Sequence, residues 1–348
     1  MRISLFLSAA LISACAAADV QAPQLLDETP DATVWSFSDQ AEALRSKSCP
    51  DGAAFDRASS IEVRVIDAER GTTSARERQL SGLQLAGAWH LKSDEEDFGG
   101  LSGLDVLRSG SLLTVTDAGA FAWIGIDPET GGPDGLGAFA YMRDTNGDFF
   151  ANKRDGDSEG LSYRDGLAFV SFEQEHRVSA FDLEGCGVAA RAAPVVALDP
   201  VIDGTLLPSN RGPEGFAMVG DTLSVGFEMR KGSGSPFGTI NSDGTLAGIE
   251  TTEQPFLFLL TGMDAKDDLV AKIFRAYDPL RGARVILQVD RGGERIADAT
   301  FKPPLPVDNF EGVAIGENPS GRTRIWLISD DNFSANQRTL LLALDLDQ

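Results

Sequence analysis

Asp157-Ser158-Glu159-Gly160-Leu161, followed a few residues later by Leu167-Ala168-Phe169-Val170-Ser171-Phe172-Glu173, decides the fold because the pattern returns along the chain. Upstream, Ser102-Gly103-Leu104 precedes Leu112-Leu113-Thr114-Val115-Thr116-Asp117. Downstream, Glu214-Gly215-Phe216 leads to Leu223-Ser224-Val225-Gly226-Phe227-Glu228, and Thr261-Gly262-Met263 to Leu269-Val270-Ala271-Lys272-Ile273-Phe274-Arg275. Last, Glu311-Gly312-Val313 leads to Ile325-Trp326-Leu327-Ile328-Ser329-Asp330, stretched by the turn insert Asn318-Pro319-Ser320-Gly321. The steps start 57, 55, 47 and 50 residues apart. That period suits a four-stranded propeller blade, and a propeller brings equivalent positions of every blade to one axis.

Composition agrees with an all-β chain. The 348 residues are 42% apolar with 37 glycines, and no long stretch shows helical apolar periodicity. Ile61-Glu62-Val63-Arg64-Val65-Ile66 and Leu83 to Leu91 alternate like strands but carry no step. They are expected to join the blade that closes the ring, with Thr339 to Leu346 as its late strand, because closure removes exposed sheet edges. Five repeats plus this N-terminal material predict a six-bladed β-propeller over 61–348, with five blades as the alternative.

Residues 1–18 read as an export signal: Arg2, the apolar run Ile3 to Ile12, then small residues. Leu11-Ile12-Ser13-Ala14-Cys15 resembles a bacterial lipobox, with Ile where Leu is usual, and ordinary cleavage near Ala18 is the other reading. Residues 19–60, rich in Pro, Asp, Ala and Ser, read as a tether and lead-in. The expected location is outside the cytoplasm, in the periplasm or as an outer-membrane lipoprotein with a lipid anchor. In an oxidising compartment Cys49 and Cys186 are expected to pair. The formal charge of −23 opposes nucleic acid as a partner.

Val307-Asp308-Asn309-Phe310-Glu311-Gly312-Val313-Ala314 and Trp326 to Leu341 strongly resemble motifs of the phytase-like family, also called the "esterase-like activity of phytase" family. Phe98 to Leu104, Asp157 to Leu161 and Asn210 to Phe216 look like its other hallmarks. The resemblance covers roughly residues 95–346 and implies an exported bacterial β-propeller. It implies activity only by analogy with calcium-dependent propeller phytases, and a fold does not establish a reaction.

The repeat phase places Glu159, Glu173, Glu214, Glu228, Glu311 and Asp330 around one funnel, with Asp117 from the first repeat. Convergent carboxylates are hard oxygen ligands suited to calcium, and pairing with nearby arginines is the alternative use for them. A second calcium candidate, Asp144-Thr145-Asn146-Gly147-Asp148 with Asn152 and Asp155, departs from an EF-type loop at Phe149 and reads more simply as a polar loop. Lys153, Arg211 and Arg275 are the candidate contacts for an anionic substrate. Arg275 stands where other repeats carry acids, so it serves equally well as a counter-ion for Glu228 or Glu311. A serine triad is disfavoured: no G-x-S-x-G elbow is present, and His90 and His176 are the only histidines.

Two readings stay open. One is a calcium-dependent hydrolase of phosphate esters or small esters, its partner a small anionic ester or another small ligand. The other is a non-catalytic envelope propeller that binds a ligand or protein and uses calcium structurally. A metal-dependent lactonase is a weaker enzyme alternative.

Overall fold

The computed structural model describes residues 32–278 and 280–347, so the expected export signal, the lipobox-like Cys15 and the first part of the expected tether lie outside the described residues. Each repeat folds as an antiparallel sheet whose first strand is innermost. These inner strands are Leu101–Val106, Ser158–Arg164, Gly215–Val219, Leu259–Lys266 and Asn309–Glu317. Each lies beside the next, and the fifth lies beside the first, so the ring closes with five blades.

Five, rather than the first expectation of six, follows from where the N-terminal strands go. Ser59–Glu62 extends the outer edge of the first blade, and Leu80–Ser81 that of the fourth. Arg64–Asp67 and Leu83–Lys92 complete the fifth blade beside the C-terminal strand Leu340–Leu346. The N-terminal material therefore complements existing sheets and covers their edges. Among the described residues the one further sheet is the small hairpin Val201–Ile202 with Thr205–Leu206, too short for a sixth blade. Within 19–60, helix Phe37–Ser48 is capped by Ser36 and packs on the outer strands of the second blade. Trp35 and Phe37 meet Phe169 edge-on at 5.6 and 6.0 Å. The disulfide Cys49–Cys186, with Cα atoms 5.7 Å apart, ties the end of this helix to the second blade.

The step glycines sit where neighbouring inner strands come closest. A Cβ on Gly103 would lie 2.4 Å from Leu161 N, and one on Gly160 would lie 2.4 Å from Phe216 Cβ. On Gly215 it would meet Leu260 at 2.6 Å, on Gly262 Glu311 O at 2.5 Å, and on Gly312 Ser102 O at 2.8 Å. The contacts run around the ring in order, so glycine is required for closure at every joint. At four of the steps the ladder also shifts register, around Ser102-Gly103, Glu159-Gly160, Thr261 and Glu311. A bulge re-aims the extra residue. It turns the residue before the glycine toward the axis.

Three positions further along, side chains lace one blade to the next. Asp105 accepts the Tyr163 N–H at 2.5 Å, Ser162 that of Met218 at 3.1 Å, and Asp264 that of Ile315 at 2.6 Å. Between the sheets lie five apolar layers, one for each joint. The layer between the third and fourth blades is the thinnest, with Leu260, Phe274 and Ile286 as its buried members.

Candidate metal centre in the central channel

Inner strands and their bulges place Ser102, Glu159, Thr261 and Glu311 at the inner edge of the ring, and Glu214 joins them immediately before its strand Gly215–Val219. Ser102 Oγ lies 3.3 Å from both Glu159 Oε2 and Glu311 Oε2, which joins three blades. A hydroxyl has one hydrogen to donate, so satisfying both contacts calls for a proton on one of the carboxyls. Burial raises the proton affinity of Glu159 well above the carboxylate range, and the charges of Glu214 and Glu311 raise it further. Glu214, also buried, is raised well above that range by burial and then by Glu311 and Glu228.

The second strand of each blade ends at the same mouth. Glu173 accepts a hydrogen bond from Gln174 at 3.1 Å, and burial together with Asp157 lifts its pKa to about 7. Asp330 accepts from Asn309 at 3.0 Å, and burial with Glu311 nearby lifts its pKa to about 8.

The expected set divides into two parts. On one side Arg275 pairs with Glu228 at 3.1 Å and Glu311 at 2.8 Å, and also donates to Asn309. Burial works against its charge, but Glu311, Glu228 and Glu214 outweigh that and hold it firmly protonated. Arg275 therefore is a counter-ion for both acids named as its partners. On the other side Asp157, Glu159 and Glu173 each bring a carboxylate oxygen within 4.8 Å of the others. Asp157 was not among the expected ligands, although its place two residues before Glu159, on an extended segment, was a usable signal.

Lys153, on the short helix Lys153–Gly156, sits over this second group. Its ammonium bonds Asp117 and lies 3.5 Å from Asp157 Oδ1. Asp117 keeps its other oxygen, Oδ1, buried without a partner. Burial raises its pKa, with Lys153 opposing. Arg211 donates to the backbone carbonyl of Glu228 at 3.0 Å. Lys153 and Arg275 thus reach the channel through acids, and Arg211 through the backbone.

The donor set fits a hard divalent cation. The clustered ligands are all carboxylate oxygens, with neither sulfur nor imidazole among them, and Lys153 links Asp157 to Asp117, whose Oδ1 is unsatisfied. Asp144 serves a different purpose: its Oδ1 accepts the backbone N–H groups of Asn146, Gly147 and Asp148 at 2.8, 2.9 and 3.0 Å, which closes a polar turn. Asn152 caps the Lys153 helix. His90 lies on the fourth strand of the last blade and His176 in a turn of the second, so the side chains that meet Ser102 Oγ are the carboxyls of Glu159 and Glu311 and not an imidazole.

The phytase-like profile, described as "esterase-like activity of phytase", matches residues 96–245 and 288–333, which hold every candidate acid of the channel. The chain belongs to the phytase-like family. No curated protein matches this phytase-like chain. Among solved structures, it is similar to a PQQ-bound aldose sugar dehydrogenase from Streptomyces coelicolor, at 13% identity and a TM-score of 0.42, over 75% of this chain and 98% of that one. Myxococcus xanthus glutaminyl cyclase is similar at 10% identity and a TM-score of 0.42, over 76% and 97%. Neither likeness carries a functional argument for this phytase-like protein.

Proposed function

We propose that this protein is an exported, calcium-dependent hydrolase of phosphate esters or small carboxylic esters, acting at the channel mouth. The carrying observation is the Asp157, Glu159 and Glu173 cluster, which Lys153 joins to Asp117. Carboxylates this close, with Asp157 buried and Glu159 and Glu173 half-buried, are raised in energy unless protonated or bridged by a cation. Asp157, Glu159 and Glu173 would hold the ion, with Asp117 the next oxygen available. A divalent ion there supplies a Lewis acid for a phosphoryl or acyl oxygen. Glu214, whose proton affinity burial and the neighbouring acids raise well above the usual carboxylate range, is placed to carry a proton on the channel wall. Lys153 is the movable positive group, since its side chain is 63% exposed beyond the acids that hold it. Export is supported by the signal-like N-terminus and by the Cys49–Cys186 bond, because disulfides persist in oxidising compartments. A lipid anchor at Cys15 belongs to the same proposal.

Calorimetric titration with calcium, and melting curves with and without chelator, test the reading. The expected result is a rise in melting temperature with calcium, since an ion bound only by the folded form stabilises it. Asp157→Asn with Glu173→Gln should weaken affinity by about tenfold or more, whereas Lys153→Met should strengthen it by removing a competing charge. Absence of binding at millimolar calcium, with identical melting in chelator, refutes the metal. A second reading, a non-catalytic envelope propeller with structural calcium, is favoured by the neutralisation of Glu228 and Glu311 by Arg275. It prevails if calcium binds while 4-nitrophenyl phosphate and 4-nitrophenyl acetate are both left intact.

A further inference from the structure

A cleft of about 780 Å³ opens against the Arg275 side of the acid ring, lined there by Glu228, Arg275 and Asn309. That volume is the size of a small-molecule site. Two properties of its lining set the kind of molecule it takes. The first is apolar. Leu257, Leu259 and Tyr277 line it, and Leu257 and Tyr277 are 64% and 74% exposed. Phe256, next to Leu257 in the chain though outside the lining, is 75% exposed. Large apolar side chains gathered at one mouth mark a surface that something else covers.

The second property is charge. Of the two acids in the lining, Glu228 is paired with Arg275 at 3.1 Å and Asp308 with Arg338 at 3.2 Å. Arg281 adds a further guanidinium to the same lining, and Arg230 stands 5.4 Å over the Phe256 ring. The two arginines of the lining balance its two acids, so in a chain of formal charge −23 the cleft is locally neutral, and Arg281 is exposed in it. It suits one negative charge. A polyanion would need several unpaired cations and would lie against the acid ring.

We infer that the cleft takes an ester with a single negative charge and an aryl or acyl group, the apolar group covered by Leu257, Leu259 and Tyr277 and the charge met by Arg281. This names the substrate class for the hydrolase reading and rests on it for chemistry, but the binding it requires is independent of calcium.

The test is isothermal calorimetry on the mature protein, in chelator and in calcium, with three probes. Bis(4-nitrophenyl) phosphate has one charge and two aryl groups, dimethyl phosphate has the same charge and no aryl group, and inositol hexakisphosphate is a polyanion. The aryl diester should bind about tenfold or more tighter than dimethyl phosphate, the order expected when part of an aromatic ring leaves water. Leu257→Ser with Tyr277→Ser should erase that preference, and both positions are exposed enough for the fold to survive. Arg281→Gln should weaken both diesters alike. The inference is overturned if the two diesters bind equally, if the aryl diester shows no binding at millimolar concentration, if inositol hexakisphosphate binds tighter, or if the preference survives the double variant. If the expected pattern holds but no ester is turned over, the hydrolase reading fails and the cleft assignment stands.

Discussion

At the residue scale, Arg275 decides how the channel tolerates its acids. It is three-quarters buried as a side chain, with Glu228 and Glu311 on its two amino groups. Replacing it with Gln leaves two carboxylates facing each other with no cation between them. Removing one partner of a buried ion pair is costly because the remaining charge stays desolvated. Arg275→Gln is expected to lower stability by about 2–4 kcal/mol in urea unfolding at neutral pH, the lower end reflecting partial exposure. A loss below about 0.5 kcal/mol would show that the acids are compensated from elsewhere. Arg275 was legible in sequence as the one cation at an acidic phase of the repeat. Its use by two acids at once depends on the register of three strands.

At the element scale, the inner strands are both the lining of the channel and the seam of the ring. The glycine of each step admits the next strand, and the residue before it faces the axis. At the opposite mouth, Asp105 and Asp264 use the same strands as lacing. Burial raises the pKa of Asp105 to about 6, and burial with Asp105 nearby raises that of Asp264 well above its usual value. A carboxyl with a raised folded-state pKa binds its proton more tightly when folded. Its contribution therefore falls as pH rises through the window from the ordinary value of 3.8 to about 6, and is level above it. Relative to wild type, Asp105→Asn should gain about 1–2 kcal/mol between pH 4 and pH 7, read by urea unfolding at each pH. A constant difference across that range would mean that Asp105 is not strained by its charge.

At the scale of the whole molecule, closure depends on the two ends of the chain. Leu340–Leu346 and Leu83–Lys92 share a sheet, so the fifth blade cannot form until the first and last parts of the propeller meet. The Cys49–Cys186 bond acts alongside this closure, spanning 137 residues of sequence. A cross-link over so long a loop restricts the unfolded chain strongly. Cys186→Ser is expected to cost about 2–4 kcal/mol, measured as a lower denaturation midpoint than that of the oxidised wild type. Equal midpoints for the variant and the oxidised protein would show that the helix Phe37–Ser48 holds to the second blade without it.

Period, strand pattern and the phase of the acids were determined by the sequence alone, because a repeat that buries its apolar faces against copies of itself must recur at a fixed spacing. The cysteine pair and the closing role of Leu83 to Leu91 were legible for similar reasons: two cysteines lie beyond the signal-like N-terminal segment, and an unmatched strand needs an edge. The blade count was decided only in three dimensions. Ile61 to Ile66 reads as one strand of a further blade, yet it divides into Ser59–Glu62 and Arg64–Asp67, each on the open edge of a different sheet. The division of the acids was decided there too. Periodicity places six carboxyls around one axis, but it cannot say which of them face a cation on a neighbouring blade. Distances of 2.8 and 3.1 Å to Arg275 settle Glu311 and Glu228 as an ion-paired group, and the bulge at Glu159 brings Asp157 and Glu173 together as the other. Pairing is a matter of a few ångströms between strands far apart in sequence, and that separation is set by how the sheets pack.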